Sequence, residues 1–233
     1  MLLAAMREEV LEANLDLVRR DLVLYTFGNA SGISREHGLV VIKPSGISYE
    51  SARPENMVIT DLDGNIVEGS LRPSSDLPTH LVLYREFPNI GGVVHTHSEF
   101  ATAWAQAGKS IPCFGTTHAD YFHGSVPVTA PLHAAEIESD YEKNTGIAIA
   151  RTFESLSYEE IPAALVAGHG PFCWGTSPRE AAHSAVILES VARMATYTVG
   201  IAPDAVPISA ELQDKHFYRK HGRNAYYGQV GSK

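Results

Sequence analysis

Apolar residues recur every three or four positions at the start of the chain, at Leu2, Met6, Val10, Ala13 and Leu17, with charged residues between them. That spacing predicts an amphipathic helix over residues 1–20. Beyond it the period shortens. Residues 21–25 read as the start of a strand that breaks at Gly28-Asn29-Ala30-Ser31-Gly32, and residues 39–43 as a second strand ended by Pro44-Ser45-Gly46. Residues 57–60 form a third, and Asp61-Leu62-Asp63-Gly64-Asn65 turns it into Ile66-Val67 as a hairpin. Helical spacing over 79–87 gives way to a strand over 92–97, a helix over 100–106 and a buried strand over 163–167. The Ala-rich stretch 178–199 predicts a long helix with Pro178 suited to its first turn, and 209–221 is a further helical segment rich in charge and histidine. Hairpin-like strands followed by mixed strands and helices predict an α+β or mixed α/β fold around a largely antiparallel sheet.

Composition narrows this only slightly. A chain of 233 residues fits one α/β domain spanning 1–233, without internal repeats, low-complexity tracts or a linker. With 18 basic and 27 acidic residues the net charge is −9, which argues against nucleic acid or an anionic membrane as partner. An anionic substrate must therefore meet locally placed donors. Cys113 and Cys173 do not make a disulfide framework. No apolar run is long enough to span a bilayer, and the first residues lack a signal-peptide pattern. The expected compartment is the cytoplasm, where the Asn29-Ala30-Ser31 sequon has no meaning.

The chemistry gathers around His95-Thr96-His97, which follows the apolar run Ile90-Gly91-Gly92-Val93-Val94. Residues two apart on a strand project from one face, so both imidazoles could share a divalent ion. Alone, the spacing is weak evidence, since such a pair is more often two polar side chains at a strand end, hydrogen-bonded to a loop. His169, after Ala163-Ala164-Leu165-Val166-Ala167, adds a third imidazole at a second strand-to-loop junction. Three protein ligands and an open position make a catalytic zinc site. Asp76 follows Ser74-Ser75, where it could ligate the metal, act as a base, or cap a helix beginning at Leu77-Pro78. Gly28-Asn29, Ser45-Gly46 and Ser74-Ser75 each put small residues and donors at a turn, as an anion requires, and Lys43 adds a charge beside Ser45. Each is also an ordinary turn sequence. No G-x-G-x-x-G or P-loop is present, so no nucleotide cofactor is expected. The segments 116–122 and 215–228 are dense in titratable residues, and residue chemistry leaves them open between site components and solvated surface.

With those residues in view, the chain closely resembles the L-ribulose-5-phosphate 4-epimerases of the class II aldolase family, almost end to end. The likeness is carried by Gly28-Asn29-Ala30-Ser31, Ile42-Lys43-Pro44-Ser45-Gly46, Pro73-Ser74-Ser75-Asp76, His95-Thr96-His97-Ser98, Gly115-Thr116-Thr117-His118-Ala119-Asp120-Tyr121, His169-Gly170-Pro171-Phe172 and Ala225-Tyr226-Tyr227-Gly228-Gln229. The resemblance implies an α/β/α fold around a mainly antiparallel sheet and a homotetramer of C4 symmetry with sites between subunits. It implies Zn2+, with Mn2+ or Co2+ as substitutes, held by His95, His97 and His169 with Asp76 beside them. Substrate phosphate and hydroxyls fall to Gly28, Asn29, Lys43, Ser45, Gly46, Ser74 and Ser75.

The implied reaction interconverts L-ribulose 5-phosphate and D-xylulose 5-phosphate, in pentose phosphate metabolism, by breaking and remaking a carbon–carbon bond. Asp120 and Tyr227, the latter from a neighbouring subunit, match the family's acid/base pair, and Glu142 and His216 match positions on the same side. Two rival readings remain. An aldolase acting on fuculose or rhamnulose 1-phosphate places Glu as acid/base where this chain has Asp76. A non-catalytic adducin-like module has lost metal ligands that are all present here.

Overall fold

The chain alternates faces along its strands, and the two sets of alternating side chains decide what covers each side of the sheet. The structure, a computed structural model, describes residues 1–221 and 225–226. Among them, seven strands form one sheet in the order β4-β3-β2-β1-β5-β7-β6. They are β1 (Asn29–Ser34), β2 (Leu39–Ile42), β3 (Val58–Asp61), β4 (Ile66–Glu68), β5 (Gly92–His95), β6 (Ala163–Val166) and β7 (Gly170–Gly175). Every neighbouring pair is antiparallel.

One face packs on α1 (Ala4–Arg19) and α7 (Pro178–Ile201), the other on α2 (Leu77–Glu86) and α6 (Tyr141–Thr152). Glycines open the first face. A Cβ on Gly32 would lie 2.7 Å from the Pro178 ring, and one on Gly92 2.5 Å from the Pro178 backbone, so the start of α7 sits directly on the sheet. The opposite face carries Ser31, Val93, Phe172 and Trp174. There the Phe87 ring stacks on Tyr158 and meets Phe153 and Trp174 edge-on or tilted, closing the core beneath α2 and α6. A Cβ on Gly146 of α6 would lie 2.7 Å from Val82, which explains the close approach of those two helices. The remaining helices are α3 (Glu99–Gln106), α4 (Thr116–Ala119), α5 (Ala134–Glu138) and α8 (Ala210–His221). No helix among the described residues is long and apolar enough to cross a membrane. Cys113 and Cys173 are free and buried.

The layered α/β arrangement with an antiparallel sheet is the one expected, but several elements depart from the pattern reading. Residues 21–25 are not a strand. Asp21 and Tyr25 take φ of 56° and 52°, and Leu24 and Tyr25 are exposed, because the chain turns there before entering the sheet. The strand instead runs through the Gly-Asn-Ala-Ser-Gly segment expected to break it. Gly32 is selected there by the proximity of Pro178, and Asn29 and Ser31 face polar partners. β5 stops at His95, leaving His97 in the following loop. β7, α5 and α6 have no counterpart in the expectations, and 116–119 forms one helical turn to which the sequence pattern assigns no element.

Candidate active site

The register of the sheet brings the chemistry to one end. Asn29, the first residue of β1, stands directly opposite His95, the last of β5, and His95 stands opposite Phe172 of β7. The end of β2 leads into Lys43 and the turn at Ser45-Gly46, bridged across Pro44 and Pro73 to the segment that starts α2. In an antiparallel sheet these strand starts and ends share one edge, so residues far apart in sequence meet there. The result is a cleft of about 400 Å³. It is lined by Gly28, Asn29, Lys43, Ser45, Gly46, Ser74, Ser75, Asp76, His95, His97 and His169, with Thr26, Phe27, Pro44, Tyr141 and Glu142 completing the wall.

His95, His97 and His169 each offer a ring nitrogen within 4.8 Å of the others. His95 is buried, its ring stacked on Phe172 at 4.2 Å between centroids. Its Nδ1–H donates to the Pro171 carbonyl at 2.9 Å, which leaves Nε2 as the lone-pair nitrogen facing the cleft. Burial pushes its pKa down to about 3, so the imidazole is neutral and ready to ligate. His97 Nε2 lies only 3.0 Å from His95 Nε2. Three imidazoles converging on one point are a donor set that fits a divalent ion. His169 is also pulled below its ordinary value by burial, and the Tyr141 hydroxyl contacts its Nδ1 at 3.2 Å.

Asp76 enters this group from the start of α2. Its Oδ2 accepts a 2.6 Å hydrogen bond from the Asn29 amide. Burial opposes its charge, but the His95 and His80 imidazoles and the Asn29 bond outweigh it and hold the carboxyl below its usual range. Its side chain makes no cap bond to α2, so the capping role left open by the sequence is not the one it takes. Behind it, His80, Ser31 and Tyr84 form a buried chain with 2.7 Å links.

At the other wall Lys43 is buried without a carboxylate partner among the described residues. Its ammonium lies 4.7 Å from the centre of the Tyr49 ring and 3.5 Å from the Pro44 carbonyl, and burial lowers its pKa to about 8. Gly28 (φ +74°) closes the approach: a Cβ there would lie 2.7 Å from Val23 and 2.9 Å from the His95 carbonyl. One side of the cleft thus concentrates imidazole nitrogens that could hold a metal ion, and the other a buried cation beside small turn residues.

Asp120 lies elsewhere. It ends α4 and is clamped by α8, accepting from Arg219 at 2.8 Å on both oxygens and from His216 at 3.0 Å, with Lys220 at 3.4 Å. Burial works against its charge, but these partners more than compensate and lower its pKa. His216 therefore holds Asp120 and does not line the cleft of its own chain, whereas Glu142 does. Tyr227 lies outside the described residues. The sequence reading missed Tyr141 and His80. Tyr141 was legible only through α6, whose apolar spacing at Tyr141, Thr145, Ala148 and Ile149 is interrupted by Gly146.

A family model described as the Class II Aldolase and Adducin N-terminal domain matches residues 8–196. A Salmonella paratyphi A protein named L-ribulose-5-phosphate 4-epimerase UlaF is 54% identical over 224 residues, 96% of this chain and 98% of its own. Among solved structures, an L-fuculose 1-phosphate aldolase superposes with a TM-score of 0.79 at 24% identity, covering 93% of this chain and 96% of that one. Escherichia coli YgbL, described as a putative aldolase/epimerase/decarboxylase, gives 0.72 at 26% identity over 91% and 97%.

Proposed function

The chain belongs to the class II aldolase and adducin family, and from that premise we propose that it is a metal-dependent L-ribulose-5-phosphate 4-epimerase. The observation that carries the reading is the pairing, across one cleft, of the three-imidazole cluster with the buried Lys43, which has no carboxylate partner among the described residues. A short sugar phosphate needs both: ligand nitrogens for an ion at its oxygen-rich end and a cation with turn donors at its phosphate. The epimerase name of the 54%-identical relative favours this substrate within the family.

His95, His97 and His169 hold the ion, zinc by the donor set, with manganese or cobalt as substitutes, and Asp76 stands beside them. When bound, the ion supplies the Lewis acidity that stabilises negative charge left on the three-carbon half of the substrate. Lys43, Asn29, Gly28, Ser45, Gly46, Ser74 and Ser75 bind the phosphate and hydroxyls and retain the two-carbon aldehyde fragment. The bond between carbons 3 and 4 breaks with its electron pair on the three-carbon half, as the hydroxyl on carbon 4 loses its proton. The retained aldehyde rotates, the bond re-forms on its other face, and the new hydroxyl is protonated. Asp120 and Tyr227 divide the two proton transfers, with Tyr227 supplied by a neighbouring subunit of a C4 homotetramer in the cytoplasm. A site shared between subunits accounts for Asp120 lying outside the cleft of its own chain.

An aldolase acting on a related sugar phosphate is the second reading, and the fold likeness to a fuculose 1-phosphate aldolase keeps it in view. Asp76 weighs against it, because a carboxylate bonded to Asn29 and held charged beside the imidazoles is placed for orientation and not for proton delivery. The direct test strips the protein with a chelator and reloads it with one equivalent of zinc. Conversion of L-ribulose 5-phosphate should vanish and return; failure to convert it with the metal restored overturns the proposal.

A further inference from the structure

Lys43 has a second chemical capacity that phosphate binding does not use. Its side chain is buried and faces the cleft, without an ion pair among the described residues. Among the described residues, only the Tyr49 ring face and a 3.5 Å carbonyl contact support its charge. Burial lowers its pKa to about 8, in keeping with that geometry, so a minor but substantial share of the amine, about a tenth at pH 7, is neutral. Around it the exposed Ser45 and Ser75 hydroxyls and the Gly46 N–H have no hydrogen-bond partner among the described residues. A desolvated amine beside unclaimed anion donors suits a molecule with a phosphate at one end and an aldehyde at the other.

We propose that Lys43 is a carbonyl-reactive amine that captures phosphorylated aldehydes in the cleft as a reversible imine, blocking the site. This rests on reading the cleft as a sugar-phosphate site. The neutral amine attacks the aldehyde carbon to give a carbinolamine; the carbon–oxygen bond then breaks as the carbon–nitrogen double bond forms, and the oxygen leaves as water carrying the two protons of the amine, relayed through solvent. No oxidation or reduction is involved, and hydrolysis reverses the step. The enzyme is thus open to inhibition by short aldehyde phosphates, including any two-carbon aldehyde phosphate that accumulates.

The test uses the metal-loaded protein and pyridoxal 5′-phosphate as probe, followed by borohydride to reduce the imine, with peptide mapping by mass spectrometry. Lys43 should be modified at least about tenfold faster than the exposed Lys109, Lys143 and Lys215, because the turn donors of the cleft hold the probe's phosphate beside its amine. Inorganic phosphate should slow the modification, and pyridoxal lacking the phosphate should react far more slowly at Lys43. Activity lost before borohydride should return on dialysis, and activity lost after it should not. Equal labelling of the exposed lysines, or equal rates for the two aldehydes at Lys43, overturns the proposal. Mapping on the unmutated chain needs no variant, and Lys43→Arg, checked for folding by circular dichroism, should remove the phosphate-sensitive label. Labelling is read without turnover, so an unreactive Lys43 in an active epimerase refutes this inference alone. A reactive Lys43 in a chain that does not epimerise refutes only the proposed function.

Discussion

Asn29 donates a 2.6 Å hydrogen bond to Oδ2 of Asp76, and so ties the first residue of β1 to the start of α2 across 47 positions of sequence. The register sets Asn29 opposite His95, so the same residue orders both the carboxylate and the strand end that carries the buried imidazole. Its Oδ1 is buried without a protein partner among the described residues, an acceptor available to a substrate hydroxyl. Asn29→Ala should lower kcat/KM by about 10- to 100-fold, the range expected when a partner of a metal-site group is removed. Steady-state kinetics beside a metal titration check this. A change within twofold in both would detach Asn29 from the site.

His97 is the exposed member of the imidazole cluster, and no element of secondary structure holds it. His97→Asn should therefore lower metal occupancy and turnover together while leaving the thermal stability of the metal-free chain within about 1 kcal/mol, as for most exposed positions. Elemental analysis of the purified variant reads occupancy. Full metal with full activity would remove His97 from the ligand set.

Asp120 and Tyr227 are predicted to act in one site built from two chains. Asp120→Asn and Tyr227→Phe should each depress kcat sharply with metal content unchanged. Mixed tetramers of the two inactive variants should recover part of the activity, because some sites then receive both intact residues. No recovery in tetramers demonstrably mixed by mass would mean that the site lies within one chain.

His118 offers a pH test away from the cleft. Burial pushes its pKa down to about 4, and its Nε2–H donates to the Gly124 carbonyl at 2.8 Å. The unfolded chain takes up this proton near the ordinary value of about 6.5, the folded chain only near 4, so its contribution is intact above 6.5 and lost as pH falls towards 4. Between pH 7 and pH 5 the loss is roughly 2 kcal/mol. His118→Gln keeps an N–H donor without the titration, and should flatten the urea-unfolding free energy over that interval by a similar amount. An unchanged slope would show that His118 is not the buried neutral group described.

Much of this was legible from the pattern of residues. Segments with a strong period, such as α1 and α7, read clearly because each buries one continuous stripe. His95-Thr96-His97 and His169 sit where apolar strands end, and that position, more than the histidines themselves, marked them as a cluster. β1 was not legible as a strand: Asn29-Ala30-Ser31-Gly32 has the composition of a turn, and only Pro178 packed over Gly32 and the partners of Asn29 and Ser31 make it a strand. Tertiary contacts override local preference there. The Tyr141 contact to His169 was hidden for a similar reason, since α6 is recognisable only once Gly146 is known to let it approach α2. The clamp of α8 on Asp120 depends on side chains about a hundred positions away, which no local pattern encodes.

The central claim is that this cleft inverts one carbon centre of a ribulose phosphate and releases neither half. The most direct measurement follows L-ribulose 5-phosphate by carbon-13 NMR with the zinc-loaded protein. D-xylulose 5-phosphate should form as the main product and reach a stable ratio with the starting sugar, with no free dihydroxyacetone. Dihydroxyacetone and glycolaldehyde phosphate accumulating at the rate of substrate loss would contradict the claim and make the chain an aldolase.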